Sequence, residues 1–220
     1  MSRKAAFHNL GCKVNSYEMD VMLQELKNKG YEIVPFEEKA DIYIVNTCTV
    51  TNIADRKSRQ MLHKAKKTNP EGIVVAVGCY VQTGKEAIEK DASIDLCIGN
   101  NRKKDIATIL EEYLKERGEL TEEGTPARRE NKTLHGSTVP DIAHTYEYEE
   151  AQLHQTAEHT RAYIKIQDGC NQFCSYCAIP LARGRVRSRK AEDVLQEAET
   201  MAEKGYQEIV LTGIHLSSYG

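Results

Sequence analysis

Two short runs of the chain, Ile42-Tyr43-Ile44-Val45 and Ile73-Val74-Val75-Ala76-Val77, are apolar at every position and rich in β-branched residues. A strand with one solvated face alternates apolar and polar side chains, so a run without alternation predicts a strand covered on both faces. The same rhythm extends to either side. The sequence predicts strands at 4–9, 31–35, 41–46, 72–78 and 94–99, and helices at 15–29, 51–67, 85–90 and 103–117. In the first helix Tyr17, Val21, Met22 and Leu26 form the apolar stripe and Gly30 ends it. Strands alternating with helices in this way predict a parallel sheet with helices on both faces, an α/β fold.

The pattern breaks at 119–158, which has nine acidic and three basic residues and no apolar period. It reads as an irregular connection. His135, His144, His154 and His159 fall near it at spacings that match no metal motif, so they read as part of a solvated polar tract. From residue 161 the elements resume, with a strand at 163–167, a cysteine-rich loop, a helix at 191–204 and a strand at 208–212. Two parallel strands and one helix neither close a sheet nor cover its faces. The expected division is therefore 1–118 as one domain, 119–160 as the connection, and 161–220 as the opening fragment of a second domain in a longer protein.

The formal charge of −3 over 220 residues excludes a globally basic nucleic-acid binder but leaves room for local patches. With 40% hydrophobic and 29% charged residues the chain is not a disordered one. Its longest apolar stretch, 73–81, falls well short of the ~20 residues that cross a bilayer. Residues 1–8 are basic without an apolar segment behind them, so no signal peptide and no membrane partner are expected. In a cytoplasmic setting thiols stay reduced, and the seven cysteines then favour metal binding or catalysis over disulfides.

Cys170, Cys174 and Cys177 form C-x3-C-x2-C within Asp168-Gly169-Cys170-Asn171-Gln172-Phe173-Cys174-Ser175-Tyr176-Cys177. Three thiolates in one loop can hold three irons of a cubane cluster and leave the fourth open, whereas structural zinc asks for four closed ligands. Cys12, Cys48 and Cys79 each follow the carboxyl end of a different predicted strand, the edge at which open α/β sheets bind ligands. They can converge on a second three-thiol site; the competing reading is three core cysteines. Cys97 lies inside a predicted strand and reads as a small buried hydrophobe. Residues 161–190 carry seven basic side chains and one acid, and 53–67 carry six and one. Arg183, Arg185, Arg187 and Arg189 are the candidate phosphate contacts, while the 53–67 run also fits a solvated helix face.

The cysteine loop, with the aromatic Tyr176 before its last cysteine, resembles the radical S-adenosylmethionine superfamily. Asn9-Leu10-Gly11-Cys12-Lys13-Val14-Asn15-Ser16, Val45-Asn46-Thr47-Cys48-Thr49-Val50-Thr51 and Val77-Gly78-Cys79-Tyr80 resemble the N-terminal domain of the methylthiotransferases. Ala178-Ile179-Pro180-Leu181-Ala182-Arg183-Gly184 extends that resemblance. It implies a flavodoxin-like domain followed by a partial (β/α) barrel, of which only the start is present, and a C-terminal nucleic-acid-binding barrel that is absent. It also implies two [4Fe–4S] clusters, one on Cys170, Cys174 and Cys177 and one on Cys12, Cys48 and Cys79. S-adenosyl-L-methionine would be contacted by Tyr176 and by Gly213 in Leu211-Thr212-Gly213-Ile214. The first cluster would generate an adenosyl radical and the second would carry the methylated sulfur. Partners implied are tRNA and an electron donor such as a flavodoxin or ferredoxin; the sulfur donor is not legible. Members of the family act on isopentenyladenosine or threonylcarbamoyladenosine in tRNA, or on an aspartate of a ribosomal protein. Thr212-Gly213-Ile214-His215 most resembles the threonylcarbamoyladenosine branch. A non-catalytic iron–sulfur electron carrier and an RNA-binding module are the alternatives of another class. The open-site cysteine spacing opposes the first, and the second leaves six cysteines unexplained.

Overall fold

The computed structural model describes residues 2–118, 138–155 and 161–220. His135, His159 and most of the expected connection lie outside the described residues. The chain runs β1 (Lys4–Asn9), α1 (Lys13–Asn28), β2 (Glu32–Val34), β3 (Ile42–Thr47), α2 (Asn52–Thr68), β4 (Ile73–Gly78), α3 (Cys79–Thr83), α4 (Lys85–Glu89), β5 (Leu96–Ile98) and α5 (Ile106–Glu116). These strands form one five-stranded sheet in the order β2-β1-β3-β4-β5, with every pairing parallel. That is the flavodoxin-like order, in which the chain direction across the sheet reverses beside β1 and β3.

β3 and β4 are buried along their whole length, as their uninterrupted apolar runs require. Alternate residues serve two cores. Ile42, Ile44, Val75 and Val77 pack with Met22 and Leu26 of α1 and with Ile109 and Leu110 of α5. Tyr43, Val45, Val74 and Ala76 pack with Leu62 and Ala65 of α2 and with Tyr80 and Val81 of α3. α2 starts cleanly because the Thr51 hydroxyl accepts from the Ala54 amide at 3.0 Å. α1 stops because the Gly30 amide donates to the Lys27 carbonyl and the Tyr31 amide to that of Leu26, the paired bonds of a glycine-terminated helix.

The later elements are β6 (Ala162–Lys165), β7 (Gln167–Asp168), α6 (Ile179–Arg183), β8 (Arg187–Ser188), α7 (Ala191–Glu203) and β9 (Ile209–Thr212). β6 and β9 pair in parallel, and β7 and β8 form a two-residue antiparallel ribbon. The expected strand at 163–167 is thus divided between β6 and β7, with Ile166 at the break. α3, α6 and the ribbon are too short to leave a period in the sequence. Residues 138–155 hold one short 3-10 turn, bury Ile142 and Leu153, and bridge Thr138 to Ile98 at the sheet edge.

The two parts share a core through α1. Tyr17 and Val21 pack against Leu153, Ala162 and Met201. α1 therefore buries two faces, and its polar residues Asn15, Glu18 and Asp20 go inside with the apolar ones. Among the described residues no helix is long and apolar enough to cross a membrane.

Candidate iron–sulfur and cofactor site

Cys12, Cys48 and Cys79 stand at the carboxyl ends of β1, β3 and β4, which are neighbours in the sheet. Cys12 is the residue before α1, and Cys79 opens α3. Cys12 is exposed and the other two are buried. The loops are braced by amides. Asn15 Nδ2 donates to the Leu10 carbonyl at 2.6 Å and to that of Thr47 at 3.1 Å. Asn46 Nδ2 donates to Asn9 Oδ1 at 3.1 Å and to the Asn15 carbonyl at 2.9 Å. The buried Ser58 hydroxyl clamps Cys48 from α2, accepting from its amide at 3.2 Å and donating to its carbonyl at 3.1 Å.

The sulfurs share one neighbourhood. A Cβ placed on Gly11 would lie 3.3 Å from Cys48 Sγ and 2.8 Å from Asn15 Nδ2, so only glycine lets the Cys12 loop approach this closely. Burial pushes the Cys48 thiol up; the Val50 amide opposes this, and the Cys79 and Cys12 sulfurs add to the rise.

Cys170, Cys174 and Cys177 occupy the loop after β7, partly or fully exposed. The Cys177 amide donates to the Cys174 carbonyl at 2.9 Å and the Cys170 amide to that of Gly184 at 3.0 Å. Gly169 adopts φ +72°, and a Cβ there would come within 1.9 Å of the Arg185 carbonyl, so the turn into Cys170 requires glycine. Gln167 ties this loop to the chain after β9. Its Oε1 accepts from the amides of Ile214 (2.9 Å) and His215 (2.8 Å), and its Nε2 donates to the carbonyls of Asp168 and Gly169, both at 2.8 Å. Gly213 sits beneath that bond set, where a Cβ would meet Gln167 Oε1 at 2.9 Å. Tyr176 is 91% exposed.

Both triads are all-thiol sets, the soft donors that suit iron–sulfur clusters. Among the described residues no three Cys, His, Asp or Glu side chains gather closely enough for a single metal ion. A cubane cluster gives each thiolate its own iron, so its ligands stand wider apart than those of one ion. The donor types, the strand-end placement and the shared surroundings fit such a cluster.

A buried ionic network lies between the two triads. Glu18 of α1 receives Lys165 Nζ at 2.7 Å, Arg183 Nη1 at 2.8 Å and the Lys103 ammonium. Asp168, two residues before Cys170, receives Lys165 Nζ at 2.7 Å and Arg183 Nη1 at 3.1 Å. Arg183 also donates to Asn15 Oδ1, and Lys103 Nζ to Asn46 Oδ1 at 2.9 Å, so the network reaches the amides that brace the first triad. Burial opposes charge on both carboxylates, yet the cations outweigh it: Glu18 is held well below the usual carboxylate range, and Asp168 is brought down to about 2. Glu149, buried beside Lys165, moves up because of burial.

This network overturns the reading of the arginine run as one strip of phosphate contacts. Arg183 is 1% exposed and spent on Glu18 and Asp168. Arg187 is buried on the Arg183 carbonyl at 2.9 Å and the Thr145 carbonyl at 3.2 Å. Arg189 is buried between Glu197 and Glu150. These guanidiniums hold the protein to itself and have no face left for RNA. Arg185 alone of the four is exposed, stacked over the Phe173 ring at 4.4 Å. On α2, by contrast, Arg56, Lys57, Arg59 and Lys67 are exposed, and Arg59 lies over the Tyr80 ring next to Cys79. Cys97 is buried in β5.

Residues 4–99 match the model of an uncharacterised protein family, UPF0004, and residues 164–219 match the radical SAM superfamily. The chain is 42% identical to the threonylcarbamoyladenosine tRNA methylthiotransferase MtaB of Aquifex aeolicus, over 99% of this chain and 49% of that protein. It is 41% identical to MtaB of Bacillus subtilis, over 98% of this chain and 44% of that one. It is 34% identical to the ribosomal protein uS12 methylthiotransferase RimO of Acetivibrio thermocellus, over 100% of this chain and 47% of that protein. The chain thus spans about half the length of the curated relatives it matches. The family implies S-adenosylmethionine and iron–sulfur cofactors. With a UPF0004 match followed by a radical SAM match, the chain is similar over nearly its whole length to radical SAM methylthiotransferases.

Proposed function

We propose that the protein to which this chain belongs converts N6-threonylcarbamoyladenosine beside the tRNA anticodon to its 2-methylthio derivative, working in the cytoplasm. The substrate is argued from the names of the relatives at 42% and 41% identity, which exceed the 34% of the ribosomal-protein enzyme. One observation carries the reading: two all-thiol triads flank a single buried ionic network, so sulfur chemistry at one and radical chemistry at the other share a rigid frame.

In this reading residues 1–118 form the sulfur-carrying domain, 119–160 connect, and 161–220 open the radical domain. Cys170, Cys174 and Cys177 would hold one [4Fe–4S] cluster, and Cys12, Cys48 and Cys79 would hold a second. S-adenosylmethionine and the first cluster, when bound and supplied with an electron by a flavodoxin or ferredoxin, would provide the hydrogen-abstracting chemistry that no side chain can provide. The chain's own residues do the positioning. Gln167 fixes the cysteine loop against the Gly213 turn, the turn that would flank the cofactor, and the exposed Tyr176 is the aromatic side chain the loop would offer it. Ser58 and the Asn9, Asn15 and Asn46 amides fix the second triad. Arg185 and the exposed basic face of α2 offer the contacts for RNA phosphates.

The deciding experiment is mass spectrometry of tRNA nucleosides from a strain lacking the gene, with and without the full-length protein. Loss and restoration of the 2-methylthio group on threonylcarbamoyladenosine supports the reading. An unchanged nucleoside, with loss of a methylthio group from isopentenyladenosine or from a ribosomal-protein aspartate, reassigns the substrate.

A further inference from the structure

We infer that Asn100 is a positioning residue for Cys79, orienting its sulfur, raising the reduction potential of whatever cluster that sulfur holds, and tying it to the radical domain; this rests on reading Cys12, Cys48 and Cys79 as cluster ligands. Asn100 follows β5 and is fully buried. Its Nδ2 lies 2.6 Å from the Ala182 carbonyl of α6 and 3.6 Å from Cys79 Sγ. A primary amide carries two N–H donors, and here each has a distinct acceptor. The orientation is forced, because turning the amide over would set its oxygen against the Ala182 carbonyl.

The other half of the side chain shows what this arrangement costs. Asn100 Oδ1 is buried without a hydrogen-bond partner among the described residues. An orphaned buried acceptor is destabilising, a cost which an apolar side chain of similar size would avoid. The two donors are what the asparagine adds. Its backbone is also immobilised: the Asn100 amide donates to Gln82 Oε1 at 3.1 Å, Gln82 Nε2 to the Pro140 carbonyl at 2.8 Å, and the Gly99 amide to that of Thr138 at 2.8 Å.

A hydrogen bond to a ligating sulfur draws electron density from it and favours the reduced cluster. The next residue after Ala182 is Arg183, whose charge also bears on Cys79. Through Asn100, then, the sulfur of one triad is set by the helix that follows the other.

The test uses the chain with Cys170, Cys174 and Cys177 replaced by Ala, reconstituted anaerobically with iron and sulfide, so that only the Cys12, Cys48 and Cys79 site can load. Asn100 is compared with Asn100→Asp, which keeps the shape, and Asn100→Leu, which removes both donors. Iron content, low-temperature EPR and the midpoint potential are read, with circular dichroism to establish that each variant is folded. The expected result is about four irons in the parent, a potential shifted negative in Asn100→Leu, and one shifted further in Asn100→Asp, which places a carboxylate beside the sulfur. Equal potentials at equal iron content overturn the role of Asn100 and leave the cluster reading intact. Absence of iron from the folded parent overturns the cluster reading itself. Should Asn100→Leu fail to fold, Asn100→Asp decides.

Discussion

Arg183, on α6, grips Glu18, on α1, through two hydrogen bonds, Nη1 to Oε1 at 2.8 Å and Nη2 to Oε2 at 3.0 Å. The pair is almost wholly shielded from water and joins the two halves of the chain. An ion pair of this kind adds little net stability relative to a well-packed apolar substitute, but breaking one side strands a charge. Arg183→Met is therefore expected to destabilise the chain by about 3–5 kcal/mol, and Glu18→Gln by a comparable amount. The double variant should cost less than the sum of the singles, because each single already forfeits the bonds between Arg183 and Glu18. Urea denaturation of the four proteins measures this; additive losses would mean the two residues act independently.

Acid should weaken the same junction late. Asp168 is more acidic folded than its ordinary value of 3.8, at about 2. A depressed carboxylate stabilises fully above its unfolded value, and that stabilisation disappears as pH falls through the folded one. Glu18 shifts in the same direction, whereas Glu149 and Glu197 are raised by burial and favour the protonated form. The urea midpoint should fall steeply between about pH 4 and about pH 2, and Asp168→Asn should make that limb shallower at the expense of stability near neutrality. An acid limb of unchanged slope in the variant would count against this assignment.

Iron content separates the two triads. Anaerobic reconstitution should give about eight irons per chain, falling to about four when Cys12, Cys48 and Cys79 are replaced by Ala and likewise when Cys170, Cys174 and Cys177 are. Full iron content in the first variant would remove the sheet-edge triad from the cofactor set. Cys97→Ala should leave iron unchanged, since that thiol is buried inside β5.

Exposed and buried cations should behave differently toward RNA. Replacing both Arg56 and Lys57 by Ala should weaken tRNA binding by the full-length protein and reduce the slope of log affinity against log salt by about two. Arg185→Ala should weaken binding as well. Arg189→Met should instead lower stability, because Arg189 is enclosed by Glu197, Glu150 and the Ala151 carbonyl. Affinities measured across a salt series on folded proteins distinguish the two classes.

The parts of this architecture legible in the sequence are those where one local cause suffices. β3 and β4 announce themselves by apolar runs, and three strand-end cysteines follow from the strands. The burial of Arg183, Arg187 and Arg189 is not legible, for a physical reason. A run of basic residues displays its charge in the sequence but not its partners, and Glu18 lies 165 residues from Arg183. Asn15 and Glu18 lie outside the apolar stripe of Tyr17, Val21, Met22 and Leu26, and they are buried because the second unit packs on α1 as well. Asn100 left no signal, because its role depends on two acceptors from α3 and α6, helices too short to show a period.

The sheet-edge triad has no counterpart in any local stretch of chain. Its sulfurs come from residues 12, 48 and 79, and they meet only when β1, β3 and β4 have paired in register. The 170–177 loop gathers its three thiols within eight residues of chain, so no pairing of distant strands is needed to make them neighbours. The two places therefore depend differently on the fold: slipping the register of β1, β3 and β4 would scatter the edge triad, whereas the loop's thiols stay adjacent along the chain.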